Sequence, residues 1–383
     1  HGTRRYFVGI QNNAESRATG GLVAAYSIVT ADHGRIHVVE HGNDGKLQTF
    51  YAPSPVVDLG PEYTHEYGNY HPAQRWITSN VSPDFPSAAS IWAHLWSAQT
   101  GEHIDGSFGV DPVGLAEVLD AVGPVTVDGY SGQFSGANLA TFIESTEYSV
   151  FPGVNNPLRK NFLSEVGTAA INKMLSGSGA PATIASALGN AAGGGHLSLW
   201  SGRPAEEDQI LGTPLAGALS PTTAPFASVS VDNAVASKLD YYLNRSLTYR
   251  AGGCSSSRRE SSITVTLDND VPRKTLPLYV RLTTLHTDVL HVERVPNSRL
   301  FVFIHATAGA ALEHATLDGR PVAVGEGVER GHPVFFLKVF LPPRTPRTIV
   351  LNLSEPTASG AASTKVQPLA RPQLTTLDVP QCT

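Results

Sequence analysis

Residues 4–21 read RRYFVGIQNNAESRATGG, and this stretch decides the fold of the N-terminal part of the chain. Residues 4–10 and 22–30 are mainly apolar, which predicts two strands. Residues 11–21 between them are all polar or small, which predicts a loop at the end of a strand. Because α/β proteins bind ligands at strand ends, this loop is the first place to look for a functional site.

The predicted loop carries side chains that suit a polar ligand. Asn12, Asn13 and Arg17 offer several hydrogen-bond donors, which match sugar hydroxyls or phosphate oxygens. A well hydrogen-bonded structural turn would have the same composition, but the density of donors favours a site. We therefore predict that these three residues bind substrate.

Outward from this stretch, strands alternate with helices. Residues 35–41 predict a third strand, and a long irregular segment follows at residues 42–86. Asp111 and Pro112 form a helix start, with Asp111 as the N-cap. Further predicted elements are helices at 87–99, 138–148, 157–175 (capped by Asn156) and 180–191, and strands at 125–127 and 196–200. This order is typical of an α/β layer architecture.

The pattern changes after about residue 215. Residues 220–225 look like a linker, and from residue 226 onward apolar and polar residues alternate with period two. The sequence therefore predicts an α/β domain at residues 1–215. An antiparallel β-sandwich-like domain is predicted at residues 226–383, with a polar tail segment at 354–368.

Composition excludes two classes of partner. The formal net charge is −6, which argues against nucleic acid because a nucleic-acid site needs a basic face. No run approaches the roughly 18 apolar residues of a membrane span.

The chain starts at His1 just before a predicted strand, so we expect that a signal or membrane anchor was removed. Abundant Ala, Gly and Pro, with Arg in excess of Lys, indicate a high-GC bacterial source.

The chain has two cysteines, Cys254 and Cys382. Two unrelated free thiols are one interpretation. We favour a disulfide that ties the tail to the second domain, which would place the protein in an oxidising, exported setting.

Carboxylates matter because glycosyl transfer needs two of them, about 5 to 9 Å apart across the scissile bond. Glu15 lies in the predicted loop and Glu40 at the end of the third strand. Glu144 and Glu147 are three residues apart on a predicted helix and share a face, although a solvated helix end would also explain them. We predict Glu15 and Glu40 as the first catalytic candidates and Glu147 as the third.

The irregular segment holds an aromatic and polar stretch at residues 63–76. Trp76 is predicted to stack on a ligand, with ordinary loop packing as the alternative. His65, Glu66 and His71 match no zinc motif, and no nucleotide-binding motif is present. We therefore predict neither a metal nor a cofactor.

Several motifs resemble a bacterial family of uncharacterised function, domain of unknown function 4012. Residues 4–21, 82–86 (SPDFP) and 105–112 (DGSFGVDP) resemble its first part. Residues 237–242 (SKLDYY) and 267–272 (LDNDVP) resemble its later part.

That family is in turn similar to the LytR-CpsA-Psr proteins, extracytoplasmic enzymes that move glycans from pyrophosphoryl lipid carriers onto peptidoglycan. Residues 110–127 resemble their strand–helix segment. The resemblance implies a mixed sheet with flanking helices. It also gives Arg17 and Arg159 the places of two arginine motifs, so Arg159 is predicted to bind substrate.

The chain departs from that family where metal and pyrophosphate would bind. Asn12 or Asn13 replaces an aspartate that holds metal, Thr19 and Gly20 replace a second aspartate, and residues 40–42 (EHG) replace a Pro-Arg-Asp motif. Such a site lacks the charge neutralisation on which phosphoryl transfer rests. Glycosidic-bond chemistry is favoured instead.

We therefore predict an exported, extracellular or cell-surface enzyme that cleaves or transglycosylates a cell-envelope polysaccharide, such as actinobacterial arabinan or galactan. Two alternatives stay open. One is a phosphotransferase of the LytR-CpsA-Psr type, and the other is a non-catalytic glycan-binding protein. The sugar, the linkage and the oligomeric state are not predicted.

Overall fold

The computed structural model describes residues 2–153, 157–273, 275–285, 289–292 and 294–382. The strands in these ranges are β1 Arg4–Arg17, β2 Gly20–Asp32, β3 Arg35–Asn43, β4 Gly106–Val110, β5 Val125–Thr126, β6 Gln133–Phe134, β7 Leu197–Ser201, β8 Ala227–Asn233, β9 Leu243–Ala251, β10 Arg258–Asn269, β11 Leu282–Leu285, β12 Val289–Val292, β13 Ser298–Ala306, β14 Ala311–Leu317, β15 Arg320–Pro321, β16 Gly325–Glu329, β17 His332–Leu341, β18 Arg347–Pro356 and β19 Gln373–Asp378. The α-helices are α1 Asp44–Leu47, α2 Pro61–Tyr67, α3 Phe85–Thr100, α4 Pro112–Val122, α5 Leu139–Thr141, α6 Glu147–Val150, α7 Pro157–Leu175, α8 Pro181–Gly193 and α9 Pro204–Leu211.

Unit 1 comprises residues 2–58, 70–218 and 277–279. Its centre is a five-stranded sheet in the order β3-β2-β1-β4-β7. β1 pairs parallel with β4, whereas the other neighbours pair antiparallel. Helices pack against this mixed sheet, so the predicted α/β class is confirmed at that level.

Both faces of β1 are buried, which explains its continuous apolar run. Phe7 lies in an aromatic cluster, with ring centroids 5.1 Å from Trp76 and 5.9 Å from Trp92. Val8 and Ile10 point into a second cluster that includes residues of α4 and α7. Gly9 is needed because a Cβ there would lie 2.8 Å from Trp92.

Unit 2 comprises residues 59–69, 219–276 and 280–382 within the described ranges. It contains a six-stranded sheet, β15-β14-β18-β10-β9-β19, and a four-stranded sheet, β16-β17-β13-β8. The pairs are antiparallel except β19 with β9, which is parallel. Inward-facing residues of both sheets form one apolar cluster, as the period-two alternation requires.

The cysteine prediction is confirmed. Cys254 and Cys382 form a disulfide across 128 residues of sequence, and Cys382 is buried. A disulfide is compatible with an exported protein. Among the described residues, the helices are all too short or too polar to cross a membrane.

One loop prediction is wrong, and two others hold only in part. The predicted loop at residues 11–21 is the far end of β1, a two-residue turn and the start of β2. The irregular segment at 42–86 contains α1 and α2, and the tail at 354–368 begins inside β18. In residues 11–21 polar composition was taken for loop, but this backbone gains its partners from pairing between β1 and β2.

Two helix predictions are confirmed. The predicted helix at 157–175 coincides with α7, although its proposed cap, Asn156, lies outside the described residues. Asp111 caps α4 with Pro112 in the first turn, as predicted. The division at residues 1–215 and 226–383 stays a prediction about independently folding domains.

Candidate functional site

A bulge in β1 creates the candidate site of unit 1. Asn12 pairs with Leu22 and Ser16 pairs with Gly21, so residues 13–15 have no residue opposite them on β2. Gly21 allows this close approach, because a Cβ there would lie 2.2 Å from the backbone of Asn12. The bulge turns polar side chains inward, and they are buried.

The bulge follows the point where the parallel strands stop pairing. The parallel pairing of β1 with β4 ends at Ile10 and Val110, and Asp111 comes next. Asn13 donates from Nδ2 to Asp111 Oδ2 at 2.9 Å. The predicted binding residue Asn13 therefore meets the carboxyl end of the neighbouring strand, where α/β proteins bind ligands.

Asp111 accepts four hydrogen bonds. Its Oδ1 accepts from the backbone N–H groups of Val113 and Gly114, at 3.0 and 2.9 Å. Its Oδ2 accepts from Asn13 and lies 2.7 Å from Nδ1 of His196. Burial lowers the pKa of His196, but the charge and hydrogen bond of Asp111 outweigh it, so this pKa is raised.

Glu144 has the opposite electrostatic environment. It lies in a π-helical turn, Phe142–Thr146, between α5 and α6, and is buried. Burial, and then the negative charge of Asp111, raises the pKa of Glu144 well above its usual value. Burial therefore disfavours the charged form of Glu144. Such turns interrupt helices most often at functional sites.

Glu147 and Tyr148 follow directly in α6 and are also buried. Asn12 donates from Nδ2 to the Tyr148 hydroxyl at 3.1 Å, which joins the β1 bulge to α6. Burial, and then the charge of Glu147, raises the pKa of Tyr148 well above its usual value. Tyr279 lies against Tyr148, with ring centroids 5.6 Å apart.

Arg159 is in contact with the same tyrosine. Its guanidinium lies 3.9 Å from the centre of the Tyr279 ring. Its Nη1 donates to the carbonyl oxygens of Phe151 and Gly153. Arg159 is thus held by two backbone carbonyl oxygens and by the ring of Tyr279. Its contact with the ring has a geometry typical of a cation–π interaction.

Glu15 and Arg17 form a buried ion pair. Arg17 Nη2 lies 3.2 Å from Glu15 Oε1, and the two side chains are 6% and 2% exposed. Arg17 also donates from Nε to the carbonyl oxygen of Ile77 at 3.0 Å. The pair lies on the bulged strand, two and four residues after Asn13.

Glu40 and Trp76 have other surroundings. Glu40 lies on edge strand β3, and its Oε1 accepts from the Tyr26 hydroxyl at 2.7 Å and from Lys46 at 2.5 Å. Partial burial opposes its ionisation, but these donors outweigh burial and the pKa of Glu40 is lowered. Trp76 is buried against Phe7 and offers no face for stacking on a ligand.

Contacts with Asp111, Tyr148 and Tyr279 link four residues that the sequence predicted: Asn12, Asn13, Glu147 and Arg159. Glu15 and Arg17, also predicted, form their own ion pair on the same strand. Sequence reasoning missed Glu144 as the acid, the second role of Asp111, and His196. Asp111 was explained fully by its capping role, which uses only Oδ1. His196 could have been found from the strand pairing. It immediately precedes β7, and the pairing of β7 with β4 places residue 196 beside residue 111.

No trio of His, Cys, Asp and Glu side chains suited to holding a metal ion occurs among the residues that the structure describes.

Unit 1 also contains an apolar cavity of about 750 Å³. The sheet contributes Val8, Ile10 and Phe108 to its wall, and Leu115 and Met174 line it from α4 and α7. Ile10 immediately precedes the polar end of β1, so this cavity adjoins the candidate site.

Residues 1–148 match the model of a family described as "Protein of unknown function (DUF4012)". This stretch belongs to the DUF4012 family. The predicted membership is confirmed there. The DUF4012 stretch contains the β1 bulge, Asp111, Glu144 and Glu147, whereas Arg159 and His196 lie beyond it.

Three solved structures show weak likeness. The transcriptional regulator yvhJ from Bacillus subtilis has a TM-score of 0.29 at 12% identity, over 57% of this chain and 78% of its own. The Lin1025 protein from Listeria innocua has the same score and identity, over 56% and 78%. A candidate nutrient binding protein from Legionella pneumophila has a TM-score of 0.20 at 9% identity; the match covers 34% of this chain and 43% of that one. None of the curated proteins compared with the chain matches it.

Proposed function

We propose that the protein cleaves or transglycosylates a cell-envelope polysaccharide of the arabinan or galactan class. One observation carries this proposal: Glu144 is a buried acid whose pKa is raised by burial and then by the charge of the neighbouring Asp111. Environments that push the pKa values of neighbouring carboxyl groups apart are how glycosidases separate the acid from the carboxylate.

In the proposed mechanism Glu144 donates its proton to the glycosidic oxygen as the sugar–oxygen bond breaks. Glu147, one helical turn further on, is the second carboxylate, which attacks the sugar or activates water or a hydroxyl. We prefer Glu147 to Glu15, because the charge of Glu15 is already neutralised by Arg17. Glu40 stays a candidate because its carboxylate is charged. It is ranked lower because hydrogen bonds from Tyr26 and Lys46 already hold that carboxylate on the edge strand.

The amide and guanidinium groups have a positioning role in this proposal. Asn12 and Asn13 hold Tyr148 and Asp111, and Arg17 holds Glu15. Arg159 holds the ring of Tyr279 at the same end of unit 1. Contact of these groups with sugar hydroxyls remains a prediction.

A second function is favoured by the apolar cavity. Its lining suits the hydrocarbon chain of a lipid carrier, which would place a pyrophosphoryl head near the polar end of β1. The protein would then be a phosphotransferase of the LytR-CpsA-Psr type. We rank it second because Asn12 and Asn13 replace a metal-binding aspartate of that family, which leaves less charge to neutralise a pyrophosphate.

We also propose the finer features of fold and location. Unit 1 would share the LytR-CpsA-Psr arrangement of a mixed sheet with flanking helices, and the two sheets of unit 2 would form a sandwich. Export to the cell surface is supported by the disulfide.

The test is digestion of purified arabinan, galactan and mixed wall glycans, with the products separated by thin-layer chromatography. The glycosidase proposal expects oligosaccharides whether or not a chelator is present, and loss of product in Glu147→Gln. Glu15→Gln and Glu40→Gln are the matched carboxylate variants. Binding of glycan without any product would indicate a binding protein, and turnover only of a lipid-pyrophosphate glycan with divalent metal would indicate the phosphotransferase.

A further inference from the structure

Helix α2 packs on one face of the four-stranded sheet of unit 2. Val302 and Ile304 of β13 point into the apolar cluster of that unit. Successive side chains of a strand alternate between its faces, so Phe303 and His305 point to the opposite face. Tyr67 of α2 lies against this second face, with its ring centroid 5.6 Å from that of Phe303. The helix therefore covers the side of the sheet that faces away from the apolar cluster.

The helical form of α2 depends on this docking. Residues 59–69 belong to unit 2, whereas the residues that precede and follow them in the sequence belong to unit 1. α2 has only seven residues, and isolated helices shorter than about 12 residues are marginal in water. Its partner in packing is β16, in addition to β13. The contacts with the sheet thus decide whether α2 stays folded.

Glu66 is buried at the centre of this contact. Among the described residues, neither of its carboxyl oxygens has a hydrogen-bond partner. A Cβ added at Gly327 would overlap Oε2 of Glu66, so the carboxyl group lies directly against the backbone of β16. Taking an ionised carboxylate out of water without donors is unfavourable, and the neutral acid is therefore the form that fits this position.

The nearest charged neighbour of Glu66 is a second carboxyl group, that of Glu329 at the end of β16. The donors at this place serve Glu329 and not Glu66. The Tyr67 hydroxyl donates to Glu329 Oε2 at 2.8 Å, and His305 Nε2 lies 2.7 Å from the same oxygen. Ionised Glu66 would therefore meet a like charge without gaining a donor.

Other ionisable side chains of the packed elements are Glu62, Tyr63 and His65 of α2, Glu326 of β16, Arg299 of β13, and His332 and Lys338 of β17. Glu62, His65, Glu326 and Lys338 are exposed, so water screens their charges. Both ring nitrogens of His332 lie within 2.9 Å of backbone carbonyl oxygens. Burial, and then the charge of Glu329, raises the pKa of Glu66 to about 7.

We propose that α2 is a pH-released strap, which covers this face of the sheet while Glu66 carries a proton and detaches when Glu66 loses it. Detachment returns the carboxylate to water and separates it from Glu329. It gives up only the contacts of a seven-residue helix, so local release is easier than unfolding of the sheet. The strap does not depend on the proposed glycan-cleaving activity.

The direction of the pH effect follows from the two states of Glu66. The docked group has a pKa of about 7, and the detached group returns to the ordinary value of 4.5. Docking is therefore strongest below pH 4.5 and weakens as the pH rises to about 7. Between pH 5 and pH 8 the ratio of detached to docked α2 should rise about 70-fold.

Hydrogen–deuterium exchange of the full chain at pH 5 and pH 8 tests the proposal, with rates corrected for the intrinsic pH dependence of exchange. We expect the protection of the α2 amides to fall about 70-fold between the two pH values. The amides of β13 and β17 should keep their protection, because the sheet stays folded. An equal fall in these strands would indicate global unfolding and would overturn the strap.

Glu66→Gln keeps the shape of the side chain and removes the ionisable group, so α2 should be equally protected at both pH values. Glu62→Gln, at an exposed position of the same helix, is the matched control and should keep the wild-type fall. The pH dependence is compared and not the level of protection, so a weaker helix in Glu66→Gln still gives a result.

Tyr67→Phe removes the hydrogen bond to Glu329 but leaves Glu66 in place. We expect it to lower the protection of α2 about tenfold at both pH values and to leave the pH-dependent fall unchanged. Wild-type protection of α2 that is the same at pH 5 and pH 8, or a fall that persists in Glu66→Gln, would overturn the proposal.

Discussion

A pair of buried carboxyl groups lies in each unit, and one member of each pair has a raised pKa. In unit 1 the pair is Glu144 with Asp111, and in unit 2 it is Glu66 with Glu329. Burial, followed by the charge of the partner carboxylate, raises the pKa of both Glu144 and Glu66, in Glu66 to about 7. A shifted pKa alone would therefore give two equally good active sites.

All four carboxyl groups are buried, so the two pairs are compared by the histidine beside each. Each carboxylate is paired with a histidine at 2.7 Å: Asp111 with His196 and Glu329 with His305. The His196 side chain is 20% exposed, whereas that of His305 is fully buried.

Location separates them too. Asp111 lies at the end of a parallel strand pair, where ligands bind, whereas Glu329 ends an antiparallel strand. In unit 2 the Tyr67 hydroxyl donates to Glu329 at 2.8 Å, and a Cβ on Gly327 would overlap Glu66. All four carboxyl groups are buried, so we propose chemistry for the first pair on its place at the parallel strand end and on the partly exposed His196, and a structural role for the second.

The largest expected effect tests the comparison of the two carboxyl pairs directly. Glu144→Gln keeps the shape of the side chain but removes the transferable proton, so glycan cleavage should fall about 10²–10⁴-fold. Glu66→Gln is the matched control in unit 2 and should keep the wild-type rate. Rates are measured on the best substrate of the glycan panel. Equal loss in both variants, or full activity in Glu144→Gln, would reverse the assignment.

The second-largest expected effect is on the free energy of unfolding and concerns Glu15, the buried carboxylate of unit 1 that pairs with Arg17. Arg17→Ala leaves the buried Glu15 without its ion-pair partner, so the free energy of unfolding should fall by about 3–5 kcal/mol. Arg17→Ala combined with Glu15→Ala removes both charges and should recover part of that loss. Denaturant titration measures both variants. If Arg17→Ala unfolds at the wild-type midpoint, the pair is not the stabilising element that its burial implies.

The third effect is the pH dependence of unit 2. Glu66 holds its proton more tightly when folded, with a pKa of about 7 against 4.5 for the unperturbed group. The stability from this group is therefore complete below pH 4.5 and is lost as the pH rises to about 7, by about 3 kcal/mol. Glu66→Gln should lack this slope. The check is the free energy of unfolding of both proteins between pH 4.5 and 8; parallel curves would contradict the assignment.

The sequence predicted those features that depend on neighbouring residues. The cap at Asp111, the extent of α7 and the alternation in unit 2 follow from local chemistry and from periodicity. The pairing of Cys254 with Cys382 followed from there being only two cysteines. The match of residues 1–148 to the DUF4012 model agrees with the resemblance predicted from residues 4–21, 82–86 and 105–112.

Only the tertiary structure decided the site. Residues 11–17 look like a loop because they are polar, yet β2 supplies backbone partners and the shift in register buries their side chains. The π-helical turn at Glu144 leaves no mark in the helical periodicity. His196 meets Asp111 because β7 pairs with β4, two strands more than 80 residues apart. Composition and spacing describe a chain segment alone, whereas burial and pKa depend on what long-range pairing brings against it.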